Sequence, residues 1–128
     1  DGEVVFETKI SSGVPDRNPQ PGRIPTNTPT GRFHVQSKLP SKHMGDGQLT
    51  GDPDAYELPG VPWTSFFEPK TGVAFHGTYW HQNYGIPMSH GCINMKPHEA
   101  LWIYRWTTPV PEPGAWETRG YGTLVVVS

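Results

Sequence analysis

The sequence predicts a mostly β domain with one short helix, and three observations carry that expectation. Gly and Pro number 15 each, 30 of 128 residues, about twice average usage, which favours many turns. Fifteen Phe, Trp and Tyr residues supply a core for a chain of this size. A single domain of 128 residues buries roughly two thirds of its unfolded surface. Finally, the apolar runs are short and several alternate with polar residues, as half-buried strands do.

Taken in order, "EVVFETKIS" (3–11) is β-rich and bounded by "SSG", so a strand is expected there. Residues 15–31 carry five prolines and two glycines and are expected to be loop. In "RFHVQSKL" (32–39), Phe33, Val35 and Ser37 alternate with Arg32, His34, Gln36 and Lys38, a half-buried strand with those four on its outer face. "SKHMGDGQLTGDPDAY" (41–56) is expected to be loop. "VPWTSFFE" (61–68) and "TGVAFHGTYW" (71–80) are expected strands joined by a turn at "PKTG". Pro97 can open a helix, where its missing N–H costs nothing, and "TTPVPEPG" ends it. "GTLVVVS" closes the chain as a short, buried-type strand.

Composition excludes some functions. A formal net charge of −2, from 10 Lys+Arg against 12 Asp+Glu without like-charge runs, gives no basis for a nucleic-acid or anionic-membrane partner. No apolar stretch approaches the ~20 residues that cross a bilayer. One cysteine excludes an internal disulfide framework. The start of the chain has no basic or apolar leader segment, although one can be removed on maturation. Oligomeric state is left open.

That one cysteine, Cys92, stands in "SHGCIN", and three of the six histidines lie just upstream: His76, His81 and His90. Three readings compete. A buried, inert cysteine is the commonest fate of a free thiol, but the polar, flexible residues on both sides of Cys92 argue against it. Zinc is the second: His76, His81, His90 and Cys92 are legal ligands, without the paired cysteines of a finger, so a three-His zinc peptidase site is the form it would take. The third is a thiol nucleophile. A nearby imidazole lowers a thiol's pKa from ~8.5, and backbone N–H groups of Gly91 and Cys92 can face a tetrahedral oxyanion. His76, at the end of "GVAFH", and His90, two residues from Cys92, are both candidate bases; spacing alone does not choose between them.

"HGTYWHQNYGIPMSHGCIN" (76–94) resembles the signature of the YkuD-type L,D-transpeptidases: a His, a loop, then Ser/Thr-His-Gly-Cys-hydrophobic-Asn, matched here by Ser89, His90, Gly91, Cys92, Ile93 and Asn94. "TPTGRFHVQSK" (28–38), "LPGVPW" (58–63), "FHGTYWH" (75–81) and "YGTLVVV" (121–127) are similar to family segments in the same order, so the resemblance covers nearly the whole chain. It implies a β-sandwich of mixed sheets with one or two short helices, Cys92 at the mouth of a cleft, over a single domain at 1–128. The family's usual first N-terminal strand is missing from this sequence, so full activity is in question.

The resemblance also implies roles. Cys92 would be the nucleophile and His76 the general base, with the Gly77 carbonyl holding the His76 tautomer. His90 and Gly91 would support the thiolate or oxyanion, and Ser89 and Asn94 would brace the turn. Tyr79, Trp80 and Tyr84 are candidates for a lid over the substrate cleft, and Met44 for its wall. The implied reaction is acyl transfer from peptidoglycan stem tetrapeptides, outside the cytoplasmic membrane, with an amine or water as acceptor and no metal or organic cofactor. A sortase-like site would instead use a downstream Arg, for which Arg105 and Arg119 are available. A non-catalytic wall-peptide-binding module would be marked by loss of the Cys or His, and both are present.

Overall fold

The computed structural model describes residues 3–17, 21, 26–45, 57–68 and 70–128, with the side chains of 43–45 and 57–59 excepted. Among the described residues, seven strands and one helix follow in the order β1 (Gly31–His34), β2 (Ser37–Gly45), β3 (Glu57–Glu68), β4 (Val73–Gly77), β5 (Ile93–Met95), α1 (Pro97–Trp106), β6 (Thr118–Arg119) and β7 (Leu124–Val127). A five-stranded sheet runs β5-β4-β3-β2-β6, and β1 pairs with β7 in a second, two-stranded sheet. All pairs are antiparallel except β4–β5, which is parallel. The expected mostly β fold with mixed pairing and a short helix is thus present.

The expected strand at 32–39 is two strands. Phe33 belongs to β1 and Ser37 to β2, while Val35 and Gln36 carry the chain from the small sheet to the large one. Val35 N–H donates to Thr123 O at 2.8 Å and Gln36 N–H to Phe66 O at 2.9 Å, so each residue bonds to a different layer. The apolar alternation survives this crossing because the backbone stays extended, which is why the break is invisible in the pattern.

Residues 3–10 are not a strand; only Ser11 pairs, as an isolated bridge to Asn94. Val4 and Val5 are both exposed, and although Phe6, Thr8 and Ile10 are half-buried in alternation with exposed Glu7 and Lys9, residues 3–10 pair with no described strand. Phe6 stacks on Trp102 of α1 with centroids 4.5 Å apart, and Thr8 Oγ1 donates to Glu99 at 2.8 Å, so the segment runs along the helix.

β2 extends to Gly45, into the expected loop, whose remainder at 46–56 lies outside the described residues. Prolines 40 and 62 are tolerated in β2 and β3 because the two-residue β6 and the shorter β4 end before reaching them, leaving that side of each strand open. The turn between β3 and β4 is closed by Thr71 and Gly72 N–H groups donating to Glu68 O. β7 is less buried than expected. Val125 is inside, whereas Leu124 and Val126 are 41% and 59% exposed, because the two-stranded sheet is covered on one face only.

Val35, Phe67, Val73, Ile93, Met95, Ala100 and Val125 form the core. Phe33 packs on Phe67 and Phe67 on Phe75, at 5.5 and 5.1 Å, which ties the small sheet to the large one. Lys38, expected on an outer face, is fully buried instead. Its Nζ donates to Tyr104 O at 2.7 Å and to Thr107 O, where the last carbonyls of α1 lack partners within the helix.

Candidate active site

The parallel β4–β5 pair positions the site. Its register places Phe75 beside Ile93 and His76 beside Asn94, and alternation sends Phe75 and His76 to opposite faces of the sheet. Phe75 goes to the core. His76 goes to the other face, where it is only 2% exposed, its ring 5.8 Å from that of Trp80.

His76 Nδ1 lies 3.0 Å from the Gly77 carbonyl oxygen. A carbonyl can only accept, so Nδ1 carries the proton and Nε2 is left with the lone pair of a base. Gly77 is fixed by packing as well. A Cβ there would come within 2.9 Å of Pro97 Cα, so only glycine lets β4 pass this close to the start of α1. Burial pushes the His76 imidazole down to about 4; its bond to Gly77 opposes that fall and His81 adds to it. His76 is therefore neutral at ordinary pH.

Cys92 precedes β5 in a turn that is heavily cross-tied. Ser89 Oγ donates to Cys92 O at 2.5 Å and accepts the Gly91 N–H at 3.2 Å. Gly91 has φ 128°, a conformation that side chains disfavour, and its carbonyl accepts from Thr28 Oγ1 at 2.7 Å. Thr28 Oγ1 in turn accepts from Gly13 N–H at 2.8 Å. Of the two backbone donors expected to face an oxyanion, that of Gly91 is thus committed to Ser89.

The half-buried Cys92 thiol donates to the Gly72 carbonyl at 3.3 Å. Its pKa is not lowered as the residue pattern suggested. Burial pushes it up to about 11, against a smaller pull from the Ala74 amide. The reason is that a neutral imidazole offers no positive charge to stabilise a thiolate. Resting thiol and resting imidazole are both uncharged.

Asn94, 1% exposed, is anchored by a backbone exchange with Ser11, N–H to O at 2.7 and 2.9 Å, and its side-chain amide lies 2.8 Å from His81 Nε2. His90 is exposed at the surface of the turn. The segment after β4 folds back over this face. Thr78 Oγ1 donates to Met95 O at 3.2 Å and so accepts from the Tyr84 hydroxyl at 2.6 Å. Trp80 and Tyr84 are half-buried, and Tyr79, 56% exposed, meets Trp80 edge-on at 4.8 Å. Met44 lies in β2 opposite Leu58, and its side chain is outside the described residues.

Two surface cavities of about 520 and 370 Å³ are lined around Trp116 and around Tyr121, and neither includes Cys92 or His76. Among the described residues no three His, Cys, Asp or Glu side chains converge on a point suited to one metal ion, so the zinc reading gains no support.

Sequence reasoning missed Gly72, whose backbone oxygen holds the thiol, because carbonyl contacts leave no trace in residue type. It also missed the Gly13–Thr28 tie to Gly91, which joins segments 63 and more residues apart. For His81 the residue pattern offers only the role of a metal ligand.

The YkuD family model, described as L,D-transpeptidase catalytic domain, matches residues 1–127. The chain is 32% identical over 114 residues to L,D-transpeptidase 1 of Mycobacterium tuberculosis, covering 80% of this chain and 39% of that protein. A solved L,D-transpeptidase from Mycobacterium smegmatis superposes with TM-score 0.72 at 27% identity, over 100% of this chain and 51% of that one. An imipenem complex of the L,D-transpeptidase LdtMt1 gives TM-score 0.64 at 30% identity, over 80% of this chain and 45% of that one. The chain thus spans about two fifths of the curated relative and half of the first of these structures. By the extent of the family match and the shared fold, the chain belongs to the YkuD family of L,D-transpeptidase catalytic domains.

Proposed function

We propose that this domain transfers acyl groups from peptidoglycan stem tetrapeptides through a thioester on Cys92. The observation that carries the reading is the His76–Gly77 bond. It leaves Nε2 of a neutral, buried imidazole as a base on the face of β4 that its parallel neighbour β5 shares, and Cys92 lies just before β5.

Because both resting groups are uncharged, proton transfer accompanies attack rather than preceding it. Cys92 Sγ forms a bond to the carbonyl carbon between the third and fourth stem residues while its S–H bond breaks and the proton turns from Gly72 O to His76 Nε2. The Cys92 N–H donates to the developing oxyanion. The tetrahedral intermediate collapses, the C–N bond breaks, and His76 returns the proton to the departing D-alanine amine. An amine of a neighbouring stem then attacks the thioester, gives its proton to His76, and expels the Cys92 sulfur, which is reprotonated. Water in place of the amine would give carboxypeptidase activity.

Ser89 and Thr28 hold the turn that presents the thiol, and Trp80 shields His76 from water. His90 lines the exposed side of the site, and Tyr79 and Tyr84 flank the substrate path. The substrate places the work outside the cytoplasmic membrane; among the described residues no helix is long and apolar enough to cross one.

The test is incubation with a purified stem tetrapeptide, with and without a second stem as acceptor, followed by mass spectrometry. Release of D-alanine with a cross-linked or hydrolysed product, abolished in Cys92→Ala, is expected. Release that persists in Cys92→Ala, or an intact tetrapeptide beside a thiol that acylates normally with imipenem, would overturn the substrate assignment.

A further inference from the structure

Two hydrogen bonds to one imidazole fix a detail of the site. His81 Nδ1 accepts the backbone N–H of Asn83 at 3.1 Å. An amide N–H can only donate, so Nδ1 holds the lone pair, and the single proton of the neutral ring sits on Nε2. As placed, however, Nδ2 of Asn94 faces that same Nε2 at 2.8 Å, which sets two donors against each other. At the same time Oδ1 of Asn94 is buried without a hydrogen-bond partner. Turning the amide over removes the clash, since Oδ1 then accepts Nε2–H. The NH2 group takes the buried position that was left unpaired.

We propose that His81 is a positioning residue that holds the Asn94 side chain with its NH2, not its carbonyl, on the unpaired side. This rests on the reading of Cys92 and His76 given above. Asn94 stands beside His76 in the parallel register and is two residues from Cys92, so its amide occupies the strand face that the reacting groups share. A donor there favours negative charge developing during attack, whereas a carbonyl oxygen in the same place would oppose it. The surroundings suit a neutral His81. Burial lowers its pKa, and the Tyr84 and Trp80 rings lie 5.6 and 6.3 Å from it.

The tautomer is read directly by ring nitrogen NMR of the wild-type chain. A protonated Nε2 on His81 is expected, and a protonated Nδ1 would overturn the proposal. The consequence is read by the rate of Cys92 acylation with imipenem. His81→Phe keeps the packing against Trp80 and Tyr84 and loses both ring nitrogens; it should slow acylation about tenfold or more. His81→Gln, which can still donate to Asn94 Oδ1, should recover much of that loss and serves if the Phe variant does not fold. Adding Asn94→Ala to His81→Phe should cost little more. Wild-type rates in His81→Phe, or losses for the two substitutions that simply multiply, would show that His81 does not act through Asn94. Failure of the wild type itself to acylate would count against the catalytic reading, while the NMR result still decides the tautomer.

Discussion

Lys38 and His76 are both buried bases on one sheet, on strands separated by β3, and burial leaves them in opposite charge states. Lys38 places Nζ among the last carbonyls of α1, bonding to Tyr104 O and Thr107 O, and burial lowers its pKa to about 8. His76 has one carbonyl, Gly77 O, and falls to about 4. Burial lowers both by a similar amount from ordinary values of 10.5 and 6.5, so the ammonium, which starts higher, keeps its charge near neutral pH and the imidazole does not. The lysine consequently holds the helix to the sheet, and the histidine is left neutral with a lone pair to use.

The comparison can be broken most sharply by substitution. His76→Gln should slow imipenem acylation by about 10²–10⁴-fold while stability changes little, since the amide can keep a bond to Gly77 O. An acylation rate near wild type would move the base elsewhere, with His90 the next candidate. Lys38→Met should do the reverse: a loss of about 2–4 kcal/mol in denaturant unfolding, from helix carbonyls left unpaired, with acylation per folded molecule unchanged. Stability unaffected by Lys38→Met would mean that the carbonyls find other partners.

Gly77→Ala tests the packing beneath the catalytic contact. Its new Cβ meets backbone at Pro97, so either β4 or α1 must shift, at about 1–3 kcal/mol, and the carbonyl that orients His76 shifts with it. Lower stability together with slower acylation is expected.

The pH dependence is a finer probe. His76 binds a proton more weakly folded, near 4, than unfolded, near 6.5, so the unfolded chain takes up protons first on acidification. Its contribution is complete above about 6.5 and is lost as pH falls toward 4. Urea midpoints measured across that window should drop in wild type and drop less in His76→Gln. The smallest effect is expected at Arg119, 79% exposed and paired with Glu117 at 3.1 Å; Arg119→Ala should leave unfolding unchanged within error.

Much of this was legible in the sequence, for identifiable reasons. The helix at Pro97 was, because proline at the first turn and a Pro-rich stop bracket it. Phe33 and Val35 were, because strand alternation exposes buried positions. The grouping of His76 with the turn at Ser89–Asn94 was visible through the resemblance, since residue type and order carry it. What stayed hidden was set by backbone and distance. The crossing at Val35–Gln36 keeps the alternation of one strand, the segment at 3–10 has strand residues without a strand's partner, and Lys38 sits where a lysine normally faces water. The raised thiol pKa was hidden for a related reason: histidine beside cysteine suggests an ion pair, and only burial shows that the imidazole is too weak a base at rest to form one.

The most direct test of the account is intact-mass kinetics of the chain with imipenem, from pH 5 to 9, in wild type, Cys92→Ala and His76→Gln. A neutral thiol and a neutral imidazole predict one adduct, no adduct in Cys92→Ala, a rate lowered by orders of magnitude in His76→Gln, and a nearly flat pH profile, since both groups titrate outside that range. A bell-shaped profile within it would mean a preformed ion pair. No adduct, with the thiol still open to a small alkylating reagent, would contradict the claim that Cys92 and His76 form a working site.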